Sequence, residues 1–379
     1  MTKIYIVRHA EAEGNLYRRI QGHHNGAVTP LGYRQIAAVG QRFSSIHLDA
    51  VYSSDLIRAH ETAKAVAAPS GVPVQTTPQL REVDVGIWED QPWGNVEYTQ
   101  PDQMYNFSSD PEHWIVDGAE RYADLRARML STVRELGERH DGQTIAIVSH
   151  GMAIRTLLFA LLDRPYSEFK DFPHGDNTAV SLLTLENGIF HVEFFNDNSH
   201  LSEQLSTFSR QTWWKEESGS DKNNLRIIPV DLDTESDWYL QSYADTWKAA
   251  HGSLDGFLPA PYLAAAQRHV RQHPQALMKA MRFDEAIGLV ELDTEHGAAE
   301  GIGWICLCSI AESYRGKSYG LQLLGHAISL YHHLGRKALR LHVATDNDRA
   351  IRFYQRCRFR EIGRTQGVLT PLLLMEKEI

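Results

Sequence analysis

From the first residues to about 200, short apolar runs alternate with stretches in which apolar positions recur every three to four residues. The run at 4–7 reads as a strand, the periodic stretch near 31–43 as a helix, 50–53 as a second strand, and the residues through 68 as the helix that follows it. An amphipathic helix over 122–139, a strand over 144–149 and an apolar helix over 152–162 continue the rhythm. The runs AVSLLTL and IFHVEFF flank Glu186-Asn187-Gly188, and Asn-Gly between two strands is a tight-turn signal. Alternation of this kind predicts an α/β fold with a mostly parallel sheet and an antiparallel edge.

Around 213–225 the chain reads WWKEESGSDKNNL, polar and without periodicity, which divides it into a domain at 1–212, a linker at 213–225 and a domain at 226–379. The second part has a different order: helices over 235–250 and 261–272, strands over 286–293 and 302–310, a helix over 319–334, the strand ALRLHVA and a short helix at 350–356. That is an α+β arrangement. A length of 379 residues supports the division, because one hydrophobic core usually stops growing near 250–300 residues.

The hydrophobic (42%) and charged (23%) fractions are those of a folded protein and exclude a disordered chain. The net charge of −10 lies in the first part, where residues 1–222 hold 20 Lys and Arg against 30 Asp and Glu, so nucleic acid is not expected as a partner. A basic run at 331–364 suits either a phosphorylated ligand or a solvated helix face. The opening apolar run is too short for a signal peptide or a membrane span, so a cytoplasmic protein with no membrane partner is expected. Cys306, Cys308 and Cys357 fit neither a disulfide framework nor a zinc motif and read as buried thiols. The pairs His23-His24 and His332-His333 point apart and lack supporting ligand spacing; they read as surface residues, and no metal is expected.

Two histidines stand where strands end: His9 after the first strand and His150 after the strand at 144–149. Ligands of open α/β sheets bind beyond the carboxyl ends of the strands, so both can face one pocket. Arg8 precedes His9, and Arg58 lies in the first turn of the helix after the second strand; both offer forked donors suited to phosphate. The set suits phosphoryl transfer to an imidazole: His9 attacks phosphorus while Arg8, Arg58 and His150 hold the oxygens on which charge grows. Glu82, in LREVDVGIWED, is the candidate proton donor and, as carboxylate, the activator of water.

RHAEAEGN, QGHHNGAVTPLGYRQ, YSSDLIRAHETA, LREVDVGIWED and IVSHGMAIR, in that order, resemble the histidine phosphatase superfamily, which includes phosphoglycerate mutases and broad-specificity phosphatases. The resemblance covers residues 1 to about 200. It implies a three-layer phosphoglycerate mutase-like domain with His9 as the phosphorylated nucleophile, Arg8, Arg58 and His150 in the phosphate pocket, Glu82 as acid and base, and Asn15 and Gln21 in neighbouring phosphate or substrate contacts. Ala10 departs from the family, which usually has Gly there, but removes no catalytic group. The short GIWED after Glu82 resembles the phosphatase branch, so hydrolysis of a small phosphorylated metabolite is favoured over mutase activity.

In the second part AESYRGKS, at 311–318, has the spacing of a phosphate loop, but too little chain follows it for a nucleotide-binding core. The run from YRGKSYG to FYQRCRFRE instead resembles the GNAT N-acetyltransferase superfamily. Arg315, Gly316, Lys317, Ser318, Tyr319 and Gly320 match its coenzyme A loop, with Ser318 in place of a Gly, and Asn347, Ala350, Phe353 and Tyr354 match its later signature. The resemblance implies acetyl-CoA along a splayed strand ending at Ile310, cofactor contacts from Arg315 to Gly320 and Asn347, transfer to a small-molecule or peptide amine, and Tyr354 as proton donor to the leaving thiolate. No general base stands out; Glu291 and Glu312 are the nearby acids. The competing reading makes this domain a coenzyme A-binding sensor without catalysis.

Overall fold

The computed structural model describes residues 1–210 and 224–379. Two compact units emerge, Met1–Gln91 with Val96–Lys222, and Pro92–Asn95 with Asn223–Ile379. Of the expected linker at 213–225, all but the last two residues lie outside the described ones.

In the first unit β1 (Thr2–Arg8), β2 (Ala50–Ser53), β3 (Val74–Thr76), β4 (Thr144–Ser149), β5 (Val180–Glu186) and β6 (Ile189–Asp197) form one sheet in the order β3-β2-β4-β1-β5-β6. The first four strands are parallel, and β5 with β6 makes the antiparallel edge. Asn187 and Gly188 both take positive φ, 50° and 78°, as the two-residue hairpin between β5 and β6 demands. Side chains alternate across each strand, so Val7, Val51, Ala146 and Val148 pack with Val39, Phe43, Ala59 and Val66 of the helices Pro30–Phe43 and Ile57–Ala67. On the other face Ile4 meets the helix Tyr122–Arg139 at Gly137, where an added Cβ would lie 3.0 Å from Ile4 and 2.7 Å from Leu185. The pairing of β1 with β4 runs in register from Lys3↔Thr144 to Arg8↔Ser149, which brings two sequence-distant strand ends level.

In the second unit β7 (Arg226–Pro229), β8 (Leu277–Arg282), β9 (Glu285–Asp293), β10 (Ile302–Ile310), β11 (Ala338–Ala344), β12 (Arg360–Gln366) and β13 (Pro371–Glu378) are ordered β12-β13-β11-β10-β9-β8-β7. Every pairing is antiparallel except β10 with β11. These two pair only from Ile302↔Ala338 to Ile305↔Leu341 and then part, β10 continuing on β9 and β11 on β13. The β9–β10 register shifts between Ile305 and Leu307, an irregularity of the bulge type. Among the described residues no helix is long and apolar enough to cross a membrane.

Candidate active sites

The first site forms where β1 and β4 end. His9 follows β1, its main-chain N–H donating to Ser149 O at 3.0 Å, and His150 caps the helix Gly151–Leu161 that leaves β4. Both histidines are buried, with ring centroids 5.0 Å apart. His9 Nδ1 lies 2.6 Å from Ala10 O, which assigns its N–H to Nδ1 and leaves the lone pair on Nε2. Burial, then Arg58 and Arg8, holds His9 well below the usual imidazole range; burial, then Arg58 and His9, does the same to His150. Both rings are therefore neutral at pH 7.

Arg58 is buried, with Nη1 donating to His24 O and Nη2 to Gly22 O, each at 2.8 Å. Arg8 donates from Nη1 to Gly175 O. Burial lowers the pKa of both, that of Arg58 to about 10, so both remain cations at neutral pH. The Nε of each arginine, both ring nitrogens of His150 and the side-chain amide of Gln21 are buried without a partner among the described residues. An unpaired buried polar group costs about 1–3 kcal/mol. Donors left open together beside two arginines are what a phosphate satisfies. Gln21 packs on Gly14, where an added Cβ would come within 1.9 Å of Gln21 Nε2 and force that side chain to move. Asn15 Oδ1 accepts the Ala12 N–H at 3.1 Å and caps the short helix Glu13–Tyr17.

Glu82 is buried beside His150's helix. Its Oε2 accepts the N–H of Met152 at 3.0 Å, and Oε1 accepts those of Ala153 at 2.9 Å and Val83 at 3.1 Å. A carboxylate at a helix start meets the positive end of the helix dipole. Arg128, unremarked in the sequence, steadies the same loop through the main-chain oxygens of Gln79, Arg81 and Glu82 and through Glu120.

The surface reading of one histidine pair needs correction. His23 and His24 are half-buried, not surface residues: their main-chain N–H groups bond Glu89 and His23 Nε2 lies 3.0 Å from Glu82 O. The segment folds inward because Glu89 supplies the acceptors that its exposed backbone lacks. Sequence reasoning also misses Asn177, whose Nδ2 donates to His9 O at 3.0 Å, and Thr62, whose Oγ1 accepts the Ala10 N–H at 3.0 Å. Asn177 lies in GDNT, which by composition signals only a turn.

In the second unit the loop before the helix Tyr319–His333 carries Gly316 at φ 83°, with nothing within 4 Å of an added Cβ, and Ser318 at φ 64°. Ser318 thus adopts the left-handed backbone that a Gly would take there. Among the described residues no side chain caps the helix start, which suits its first amides to an anion such as a pyrophosphate. Arg315 Nε donates to Ile310 O at 2.7 Å, tying the loop to the end of β10. Lys317 lies over the Tyr314 ring, and the Tyr319 hydroxyl accepts from Arg282 Nε at 3.1 Å. The ring of Phe353 lies 3.3 Å from a Cβ built at Gly320, so only Gly packs there without displacement. These features fit coenzyme A. Asn347 Oδ1 accepts the Ala350 N–H at 3.1 Å and caps the helix Asp348–Arg356.

Tyr354 is buried against Phe353 and Phe359, and burial, then Cys308 and Cys357, holds its hydroxyl well above the usual phenol range and so protonated. Cys357 is buried and Cys308 half-buried, but Cys306 is exposed, against the expectation of buried thiols. It alternates with the buried Ile305 and Leu307 and so faces away from them. Glu291 is buried and fully engaged, Oε1 with His269 Nδ1 at 2.8 Å and Oε2 with the Tyr239 hydroxyl at 2.9 Å; Asp293 faces His269 Nε2 at 3.2 Å.

Residues 4–198 match the histidine phosphatase superfamily (branch 1), and residues 237–359 match the acetyltransferase (GNAT) family. The chain is 30% identical over 203 residues to phosphoserine phosphatase 1 of Hydrogenobacter thermophilus, covering 54% of this chain and 96% of that protein. It is 33% identical over 165 residues to the probable phosphoglycerate mutase GpmB of Yersinia pestis, covering 44% and 77% respectively. Bacillus stearothermophilus YhfR superposes with a TM-score of 0.52 at 31% identity, over 53% of this chain and all of that one. A phosphate-ready pocket built from strand ends, on this sheet and with this match, leads to one conclusion: the chain belongs to the histidine phosphatase superfamily and carries a GNAT-family domain after it.

Proposed function

We propose that the first unit, taken as residues 1–212, hydrolyses a small phosphomonoester through a phosphohistidine, and that residues 226–379 transfer an acetyl group to an amine. The observation that carries the first claim is the convergence of unpaired buried donors on Arg8, Arg58 and His150 beside a neutral, tautomer-fixed His9. His9 Nε2 attacks phosphorus as the ester P–O bond breaks, and Glu82 gives a proton to the leaving oxygen. Arg8, Arg58 and His150 hold the equatorial oxygens. Water then attacks the phosphorus, returns a proton to Glu82, and frees inorganic phosphate and His9.

Phosphoserine is the first ester to try, because a relative of the first unit is named a phosphoserine phosphatase. In the second unit, acetyl-CoA supplies an activated thioester when bound. The amides at the start of Tyr319–His333 and the loop at 315–318 would hold its pyrophosphate, and Tyr354 would deliver a proton where the thiolate forms. The test is phosphate release from a panel of esters by wild type and His9→Ala. Release that falls at least about 10³-fold in the variant supports the reading. Release unaffected by the substitution, or interconversion of monophosphoglycerates faster than phosphate release, overturns it.

A further inference from the structure

Resting on that reading of the first unit, we propose that Asn177 is a positioning residue that holds His9 in its attacking pose through the His9 main-chain carbonyl. His9 lies one residue beyond β1, where the strand ladder no longer fixes the backbone. Its N–H is held by Ser149 O and its ring by Ala10 O. Its carbonyl accepts two donors from one loop, Asn177 Nδ2 at 3.0 Å and the Thr178 N–H at 3.3 Å.

Asn177 is buried, and the carbonyl it faces fixes its amide with Nδ2, not Oδ1, toward His9. Its Oδ1 is buried without a partner among the described residues, so the side chain's hydrogen bonding there is spent on the nucleophile. The loop is anchored elsewhere: Asp176 Oδ1 accepts the Asn177 N–H at 2.8 Å, and its Oδ2 accepts Ser206 Oγ at 2.6 Å and Asn198 Nδ2 at 3.2 Å. Thr178 takes φ 61°, a strained conformation for a β-branched residue that persists only where the surroundings enforce it. The same loop accepts Arg8 Nη1 at Gly175 O and the Arg8 N–H at Ala179 O. One short segment therefore sets both the phosphate clamp and the nucleophile.

A misplacement of about 1 Å at a reacting atom costs on the order of 100-fold in rate. Asn177→Asp keeps the shape but presents an acceptor to the carbonyl; Asn177→Ser keeps a donor on a shorter arm. The full chain would be assayed with p-nitrophenyl phosphate for kcat and KM, and by calorimetry for the dissociation constant of inorganic phosphate. We expect kcat of Asn177→Asp to fall about 100-fold with KM and phosphate affinity within about threefold of wild type, and Asn177→Ser to recover at least about tenfold of the loss. A kcat near wild type in Asn177→Asp, or phosphate affinity falling in step with kcat in both variants, overturns the proposal. Absence of His9-dependent turnover in wild type shows in that arm alone, and refutes the hydrolase reading together with the inference built on it.

Discussion

Glu82→Gln keeps the side chain's shape and removes its charge. Three main-chain N–H groups, from Met152, Ala153 and Val83, converge on the carboxylate at 2.9–3.1 Å. A glutamine offers one acceptor oxygen, and its NH₂ then faces at least one of those donors. Losing a charge-assisted bond at a buried site costs about 1.5–3 kcal/mol, and losing the charge at the helix start adds about 1 kcal/mol, together about 3 kcal/mol. For a unit of this size that corresponds to a fall of about 6–12 °C in Tm. Differential scanning calorimetry on the full chain reads it, and the transition that inorganic phosphate raises identifies the first unit. Turnover falls in parallel by about 10²–10⁴, the usual contribution of a general acid and base. Lost turnover with an unmoved Tm would refute the capping argument and leave Glu82 a proton carrier only; a lowered Tm with turnover intact would refute its chemical role.

The pH dependence of stability has a definite sign. His9, His150 and His174 all have pKa values depressed well below the usual imidazole range, chiefly by burial, so the unfolded chain binds protons below about pH 6.5 that the folded one refuses. Each contributes stability that is full above about pH 6.5 and declines by up to about 1.4 kcal/mol per pH unit as the pH falls toward its folded value. Thermal melts of the ligand-free protein should therefore lose midpoint steadily from pH 7 to pH 5, and a flat profile contradicts the assignment. In the second unit, Ser318→Val places a β-branched residue at φ 64° and should cost about 1–2 kcal/mol and weaken coenzyme A binding about tenfold by calorimetry, whereas Ser318→Gly binds at least as well as wild type. The reverse order refutes the reading of that loop.

The first unit was legible because its helices and strands are regular and its reactive residues sit at strand ends, which periodicity locates. The helix at 122–139 and the strand at 144–149 coincide with the observed elements. What sequence could not show is local. Cys306 is exposed because it alternates with the buried Ile305 and Leu307, and a count of cysteines does not say which face of a strand each takes. Asn347 and Asn15 match family positions, yet in the fold both use Oδ1 to cap helices, a use that depends on backbone position alone. β12 and β13 escaped notice because their buried positions are few: β12 is largely exposed, and β13 alternates only from Leu372 to Lys377.

The sheet order has a consequence for the making of the protein. β1 lies between β4 and β5, so neither of its partners exists until about 140 more residues have been translated, roughly 7–30 s at 5–20 residues per second. During that interval Ile4, Ile6 and Val7, buried in the finished sheet, have no strand to pair with. The nascent chain therefore holds an apolar strand edge open for seconds, which is the interval in which chaperone engagement or aggregation is decided. A catalytic pocket assembled from the two ends of a domain ties the birth of activity to the completion of that domain.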